Sequence, residues 1–185
     1  MPIVNQEDAE LKAIMAAAEM MAVSARTAPK GKGMDEIKTV IVFGEEKEKI
    51  AEEMERIGKE KKLDYFIRDA NSVKKSKIVL LIGVKTSKGK GTNCGGCGFK
   101  TCEEFNKSEK ILGNGFKGPS CVMYVLDLGI AIGSAVKTAS MLNIDNRIMY
   151  SIGATAMKMK LMDADMIIGI PLSATGKNIF FDRKI

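Results

Sequence analysis

All four cysteines of the 185-residue chain lie between positions 94 and 121. Their spacing is C-x2-C-x4-C-x18-C, formed by Cys94, Cys97, Cys102 and Cys121. Four thiolates that converge from one short loop and one later point make a complete ligand set for a tetrahedral metal ion or an iron–sulfur cluster. We therefore predict a metal centre at these four residues, in a cysteine segment that spans residues 86–121.

The residues around the cysteines favour a [4Fe–4S] cluster over a single ion. Gly95, Gly96 and Gly98 let the backbone fold tightly around a bulky inorganic core and point N–H groups at its sulfurs. Pro119 restricts the backbone that enters Cys121. The predicted cofactor is therefore a [4Fe–4S] cluster.

Two other roles for the cysteines stay open, a structural zinc site and disulfides. Zinc sites with four cysteines are common, but they usually pair two C-x2-C units, whereas here the second half is C-x4-C followed by one distant cysteine. Disulfides need an oxidising compartment, and residues 1–5 lack the basic start and apolar run of a signal peptide. We therefore expect a cytoplasmic protein.

Composition excludes several kinds of site. The chain has no histidine, which rules out a Ser-His-Asp triad and an imidazole metal ligand. The formal net charge is +6, but there is no tryptophan and there are three tyrosines, so no basic stripe with interleaved aromatic residues is predicted. We expect no nucleic-acid partner, and the sequence assigns no catalytic acid or base.

Apolar periodicity predicts the elements that must position the cysteine segment. The central one is an apolar helix at 122–142, in which Gly129 and Gly133 suit close packing and Asp127 and Lys137 argue against a membrane span. With no repeat or linker, we predict one α+β domain over residues 1–185. The other predicted elements are helices at 6–23, 45–62 and 154–161 and strands at 38–43, 77–83 and 165–170.

The cysteine segment resembles the small four-cysteine [4Fe–4S] domain of membrane electron-transport complexes and corrinoid iron–sulfur proteins. That domain carries the pattern N-C-G-x-C-G-x-x-x-C, followed by a fourth cysteine near a proline. The resemblance implies the same cluster, held by the same four cysteines. The matching residues are Asn93, Cys94, Gly95, Cys97, Gly98, Cys102 and Cys121.

The order of the predicted elements resembles nitroreductase-like flavoproteins. Ala28-Pro29-Lys30 lies where that family has A-P-S, residues 127–144 are similar to its central helix, and residues 168–172 to its last core strand. The resemblance implies a mixed sheet with a central apolar helix, into which the four-cysteine loop is inserted. The whole chain also resembles a family of small proteins described as containing a ferredoxin domain.

The flavoprotein resemblance implies FMN at a homodimer interface, with basic side chains on its phosphate. The corresponding cations here are Arg26 and Lys30 in the loop after the first helix and Lys177 or Arg183 in the tail. A phosphate dianion is well satisfied by such cations. The chain lacks the family's R-S-x-R segment and the N-x-Q-P-W part of its loop.

Lysines outnumber acidic residues around the cysteines. Such a surface is either a solvated loop or a positive field that raises the cluster potential and steers an acidic electron donor or acceptor protein. The lysines are Lys85, Lys88, Lys90, Lys100, Lys107, Lys110 and Lys117.

The sequence thus predicts a cluster-binding redox protein that takes part in electron transfer or acts as a flavin-assisted reductase, an FMN-dependent oxidoreductase. The alternatives are an electron carrier without flavin and a protein whose zinc ion or cluster is purely structural.

Overall fold

A computed structural model describes residues 3–181, in which a four-stranded sheet separates two groups of helices. The α+β class is therefore confirmed. The helices are α1 (Gln6–Thr27), α2 (Gly44–Lys61), α3 (Asp64–Lys75), α4 (Cys102–Lys107), α5 (Val122–Met141) and α6 (Tyr150–Lys158), with a 3-10 turn at Gly31–Gly33. The strands are β1 (Ile37–Phe43), β2 (Ile78–Val84), β3 (Ile111–Leu112), β4 (Lys117–Gly118), β5 (Asp145–Asn146) and β6 (Met166–Ser173).

The main sheet has the order β1-β2-β6-β5, and β2 lies inside it with every residue buried. Burial on both faces explains why β2 is a continuous apolar run rather than an alternating one. Each pair in this sheet is antiparallel among the described residues, so the expected mixed sheet is not found within residues 3–181.

Alternate residues of β2 supply the two hydrophobic cores, because successive side chains of a strand point to opposite faces. Leu80 and Ile82 pack with α1 and α5 on one face of the sheet. Val79 and Leu81 pack with α2, α3 and α6 on the other face. The cysteine segment connects β2 to α5. One of its ends therefore continues from the sheet, and the other continues into the helical layer formed by α1 and α5.

Several element boundaries differ from those predicted. α1 continues to Thr27, and β6 continues through Pro171 to Ser173, where Leu172 and Ser173 pair with β5. α6 begins at Tyr150, ahead of the predicted start. No element was predicted for α3, although its buried Phe66, Ala70 and Val73 have helical spacing.

Helix α5 is long and apolar enough, by length and composition alone, to cross a membrane. In the fold, 39% of its most apolar stretch is buried, and Asp127 makes an ion pair inside the protein. Leu126, Ile130 and Met141 remain exposed. The helix thus packs on the core by one side only, and the expectation that it does not span a membrane stays a prediction.

Candidate metal centre

The four cysteines line one pocket beside the first turn of α5. Cys94 is exposed, Cys97 and Cys102 are half-buried, and Cys121 is buried at the N-cap position of α5. Phe99 closes one side of the pocket and packs edge-on against the fully buried Phe105, at 5.7 Å between ring centroids. The sequence separates Cys121 from the other three, and the fold brings all four to the same pocket.

Asp165 anchors the entry to the cysteine segment. Its Oδ2 accepts hydrogen bonds from the backbone N–H groups of Thr86, at 2.8 Å, and Ser87, at 2.9 Å. Burial alone would raise the pKa of Asp165, but the hydrogen bonds from these two backbone N–H groups, with Lys117 nearby, hold that pKa below its ordinary value. The Cys121 N–H donates to the Thr86 carbonyl at 2.9 Å, so the last cysteine is tied to the entry.

Asn93 connects the first cysteine to the third, because it precedes Cys94 in the chain and hydrogen-bonds to Cys102. It has a left-handed φ of 49°, a conformation that asparagine tolerates. Its side-chain oxygen accepts from the Cys102 N–H at 2.8 Å, and its own N–H donates to the Cys102 sulfur at 3.4 Å. A sulfur that accepts a backbone hydrogen bond is one of the means by which proteins tune iron–sulfur clusters.

The surroundings of Cys94 favour its thiolate. The backbone N–H of Gly96 and then the hydroxyl of Thr92 donate hydrogen bonds that lower the pKa of the Cys94 thiol below its ordinary value. The thiolate is the form of cysteine that binds metals. The donor set and its surroundings therefore fit a thiolate-ligated metal centre.

The glycines between the cysteines have two different roles. Gly95 and Gly98 adopt φ values of +72° and +87°, which residues with a side chain rarely take. Gly96 instead lies against α5, where a Cβ atom would come within 2.5 Å of the Val122 side chain. The close approach of Gly96 to Val122 keeps Cys94 and Cys97 near the helix that begins after Cys121.

A buried ion pair lies behind the cysteine segment. The Lys90 side chain is fully buried; its ammonium contacts the Asp127 carboxylate of α5, donates to the Gly31 carbonyl at 2.8 Å and lies 4.4 Å from the centre of the Tyr124 ring. The other Asp127 oxygen accepts from the Gly31 N–H at 3.0 Å. Lys90 therefore connects the cysteine segment to α5 and to the turn at Gly31. Its position in the sequence suggested a surface lysine, but its side chain is buried.

The remaining lysines around the cysteines differ in their environments. Lys110 lies 3.8 Å from the centre of the Phe105 ring, and burial lowers its pKa. Lys88 and Lys100 are exposed and make no ion pair within residues 3–181. The other three are paired with acidic residues, as Lys85–Asp163, Lys107–Glu103 and Lys117–Asp165.

Two of the cations predicted for a flavin phosphate, Lys30 in the lysine loop (residues 28–33) and Arg26 at the end of α1, are engaged in contacts within the protein. Lys30 directs its ammonium at the carbonyls of Ala25 and Arg26 in the last turn of α1, at 3.3 and 2.5 Å, and at that of Ala28, which follows the helix, at 2.9 Å. Arg26 pairs with Asp35 at 2.5 Å. Lys177 lies after β6, and Arg183 lies outside the described residues, so the flavin assignment stays a prediction.

Comparison with known sequences gives the family. A protein of Archaeoglobus fulgidus, known only as an uncharacterized protein, is 51% identical over 181 residues, which cover 98% of this chain and 97% of that one. Residues 117–183 match the family described as "Uncharacterized protein containing a ferredoxin domain (DUF2148)". The chain belongs to this ferredoxin-domain family. Of the four cysteines, the matched range of the ferredoxin-domain family includes Cys121 alone.

Solved structures that resemble this ferredoxin-domain protein are nitroreductase-like, which confirms the predicted fold. The nitroreductase CinD from Lactococcus lactis, in complex with nicotinic acid, has a TM-score of 0.57 at 12% identity and covers 97% of this chain and 86% of its own. A BluB-like flavoprotein from Clostridium difficile has a TM-score of 0.54 at 17% identity, with coverages of 100% and 87%. A protein described as a nitroreductase from Desulfovibrio desulfuricans, in complex with FMN, has a TM-score of 0.53 at 13% identity, with coverages of 100% and 82%.

Sequence reasoning missed three residues that shape the centre. Asp165 was assigned to the start of a strand, and Tyr124 was not singled out in the apolar helix. Lys90 was grouped with surface lysines. The sequence contained one signal for the buried role of Lys90. Asp127 lies in a largely apolar helix, and a buried carboxylate needs a cation nearby.

Proposed function

We propose that the protein binds a [4Fe–4S] cluster through Cys94, Cys97, Cys102 and Cys121 and works as a redox protein in electron transfer. The observation that carries this proposal is the single pocket that all four cysteines line. The ferredoxin-domain family supports the redox assignment. When bound, the cluster would supply one-electron chemistry at the pocket, while the protein contributes ligands, sulfur hydrogen bonds and partial exclusion of water.

The spacing of the cysteines supports a cluster rather than a zinc ion. Zinc sites with four cysteines usually pair two C-x2-C units, whereas here Cys102 follows Cys97 after four residues and Cys121 is distant. A four-iron cluster binds each thiolate at a different iron, so it suits four cysteines that surround a pocket.

A flavin-assisted reductase is the second form of this proposal, and the fold favours it. The structural relatives include proteins solved with FMN. The exposed side of α5 carries Leu126 and Ile130, 54% and 45% exposed, next to Gly129 and Gly133, which have open space beside them. An apolar helix face of this kind suits a second copy of the chain. We therefore propose that the flavin-binding form is a homodimer that packs through this face of α5. An Ile130→Glu variant should then sediment as a monomer in analytical ultracentrifugation.

The electron-transfer partner that we propose is an acidic protein. Lys100, exposed beside Cys97 and Cys102 and without an ion-pair partner in the described part of the chain, offers it positive charge. Attraction between exposed charges is screened by salt over a Debye length of about 8 Å at 0.15 M. Electron transfer to an acidic carrier should therefore slow as ionic strength rises, and a rate that does not depend on salt would contradict docking through lysines.

The test of the cluster is an analysis of iron, sulfide, zinc and flavin per chain in protein purified without oxygen. We expect about four irons and four sulfides per chain, from the stoichiometry of a [4Fe–4S] cluster, and none of the zinc that a four-cysteine zinc site would hold. Bound flavin would support the reductase, and its absence would favour the carrier. Zinc without sulfide would contradict the proposal and assign the site a structural role.

Cys102→Ala tests the ligand set directly. Because Cys102 begins α4 and its sulfur is held by the Asn93 N–H, its loss should remove or degrade the cluster. Ser108→Ala, at the other end of α4, is the matched control and should keep its iron and sulfide. Full iron and sulfide in Cys102→Ala would show that another residue completes the ligand set.

A further inference from the structure

A second cavity, of about 390 Å³, adjoins the cysteine pocket at the end of the sheet where β2 ends and β1 and β6 begin. Its size falls in the range of sites for small molecules. Gly89 belongs to the walls of both cavities. At Gly89 a Cβ atom would lie 3.1 Å from the Cys102 sulfur, so only backbone separates this cleft from a cluster ligand.

Some of the charged side chains that line the cleft form ion pairs with each other, and others do not. Lys85 pairs with Asp163 and Lys117 with Asp165, which neutralises four of the charges that line it. Lys88 and Glu36 also line the cleft, and neither has an ion-pair partner within residues 3–181. One cation and one carboxylate are therefore left to interact with an occupant.

Tyr124 adds a hydrogen-bonding group aimed into the same space. The residue is only 4% exposed, its ring lies under the Lys90 ammonium, and it lines the cleft. Among the described residues its hydroxyl has no hydrogen-bond partner. The buried side-chain oxygen at this cleft that lacks a partner is Ser87 Oγ, so Tyr124 and Ser87 each offer a hydroxyl to a group that enters the cleft.

We propose that this cleft binds a small hydroxy- or amino-carboxylate next to the metal centre. Lys88 holds the carboxylate, Glu36 accepts a hydrogen bond from the hydroxyl or ammonium group, and the Tyr124 hydroxyl donates to a ligand oxygen. The effect of this ligand on the cluster rests on the proposed function, whereas its binding to the cleft does not.

The binding test uses cluster-loaded protein under anaerobic conditions and isothermal titration calorimetry. The probes are lactate, alanine, 3-phenyllactate and phenylalanine, with propionate and 3-phenylpropionate as analogues that keep the carboxylate but lack the donor group. We expect at least one of the four probes to bind saturably and its analogue to bind at least tenfold more weakly. No saturable binding by any of the four, or equal binding of probe and analogue, would overturn the proposal.

Two variants assign the binding to this cleft. Tyr124→Phe and Lys88→Ala should each weaken the binding of the active probe at least fivefold. Tyr65→Phe and Lys59→Ala, which alter a tyrosine and a lysine that do not line the cleft, should bind as the unchanged protein does. If Tyr124→Phe binds the probe as tightly as the unchanged protein, the site lies elsewhere and the proposal fails.

The position next to the cluster has its own readout. The electron paramagnetic resonance spectrum of the dithionite-reduced protein should shift when the active probe is added, and the shift should be absent in Lys88→Ala. Iron and sulfide are measured on each sample. Samples without a cluster contradict the proposed function, whereas an intact cluster without probe binding contradicts the cleft alone.

Discussion

The cysteine segment (residues 86–121) and the lysine loop (residues 28–33) are both rich in glycine and lysine, yet their functional groups are used in opposite ways. In the cysteine segment the four thiols line one pocket and are left without disulfide partners among the described residues. In the lysine loop the Lys30 ammonium points into the protein and satisfies carbonyls of α1. Spacing along the chain predicted which cysteines meet in one pocket, whereas the role of a single cation depends on tertiary contacts.

The largest expected effect comes from breaking the contact that joins the two regions. Lys90→Met would leave the Asp127 carboxylate buried without its cation. Removal of one partner of a buried ion pair costs about 3–5 kcal/mol. We expect a loss of this size in the free energy of unfolding, measured by urea denaturation followed by circular dichroism, together with faster loss of iron.

The double variant Lys90→Met/Asp127→Leu is the control for that experiment. Replacing both charges by apolar side chains should restore most of the stability, because no unpaired charge stays buried. Recovery should be incomplete, since the Gly31 N–H loses its acceptor. A loss below about 1 kcal/mol in Lys90→Met would instead show that Asp127 stays solvated and that the two regions are not coupled through it.

A second variant sharpens the comparison on the side of the cysteine segment. In Gly96→Ala the new methyl group would meet Val122, at 2.5 Å from its Cγ1. Overpacking of this kind typically costs about 1–3 kcal/mol. We expect a corresponding fall in the urea midpoint and a lower iron content. Gly96→Ala/Val122→Ala should recover both relative to Gly96→Ala, and no recovery would mean that the backbone rather than this contact requires glycine.

Much of the cysteine pocket could be predicted from the sequence because three of its four cysteines lie close together in the chain. Cys94, Cys97 and Cys102 lie in one loop, and the glycines between them restrict how that loop can fold. The β2 strand was predicted within one residue at each end, since a continuous apolar run bounded by polar residues has one simple interpretation. The nitroreductase-like fold followed from the order of such elements.

The parts that could not be predicted depend on contacts between distant residues. Asp165 meets Thr86 and Ser87 only because β6 lies beside β2 in the sheet. Lys90 is one of seven lysines near the cysteines, and nothing local distinguishes it from Lys88, which is exposed. Lys30 follows a proline and precedes glycine, a pattern typical of an exposed turn. Its ammonium nevertheless donates hydrogen bonds to carbonyls at the end of α1.

The lysine loop can be tested with Lys30→Met, which keeps the length of the side chain and removes its charge. The variant leaves the carbonyls of Ala25, Arg26 and Ala28 without their donor. Hydrogen bonds from a charged group contribute about 1.5–3 kcal/mol, and water can replace part of this at a helix end, so we expect a loss of about 1–2 kcal/mol. An unchanged free energy of unfolding, together with a lower flavin content, would instead assign Lys30 to the phosphate of FMN.

The smallest effect on stability is expected for Arg26→Ala, and here the flavin content decides between two roles. The Arg26 side chain is 64% exposed, and its ion pair with Asp35 lies at the surface. Exposed ion pairs contribute about 0–1 kcal/mol, so the free energy of unfolding should change by no more than that. If Arg26 binds FMN, the variant should lose flavin in an anaerobic preparation although its fold and iron content are intact. If the flavin content is unchanged, Arg26 serves only its contacts with Asp35 and the Ile37 carbonyl, and the phosphate must be bound by other cations, among which Lys177 is the next to substitute.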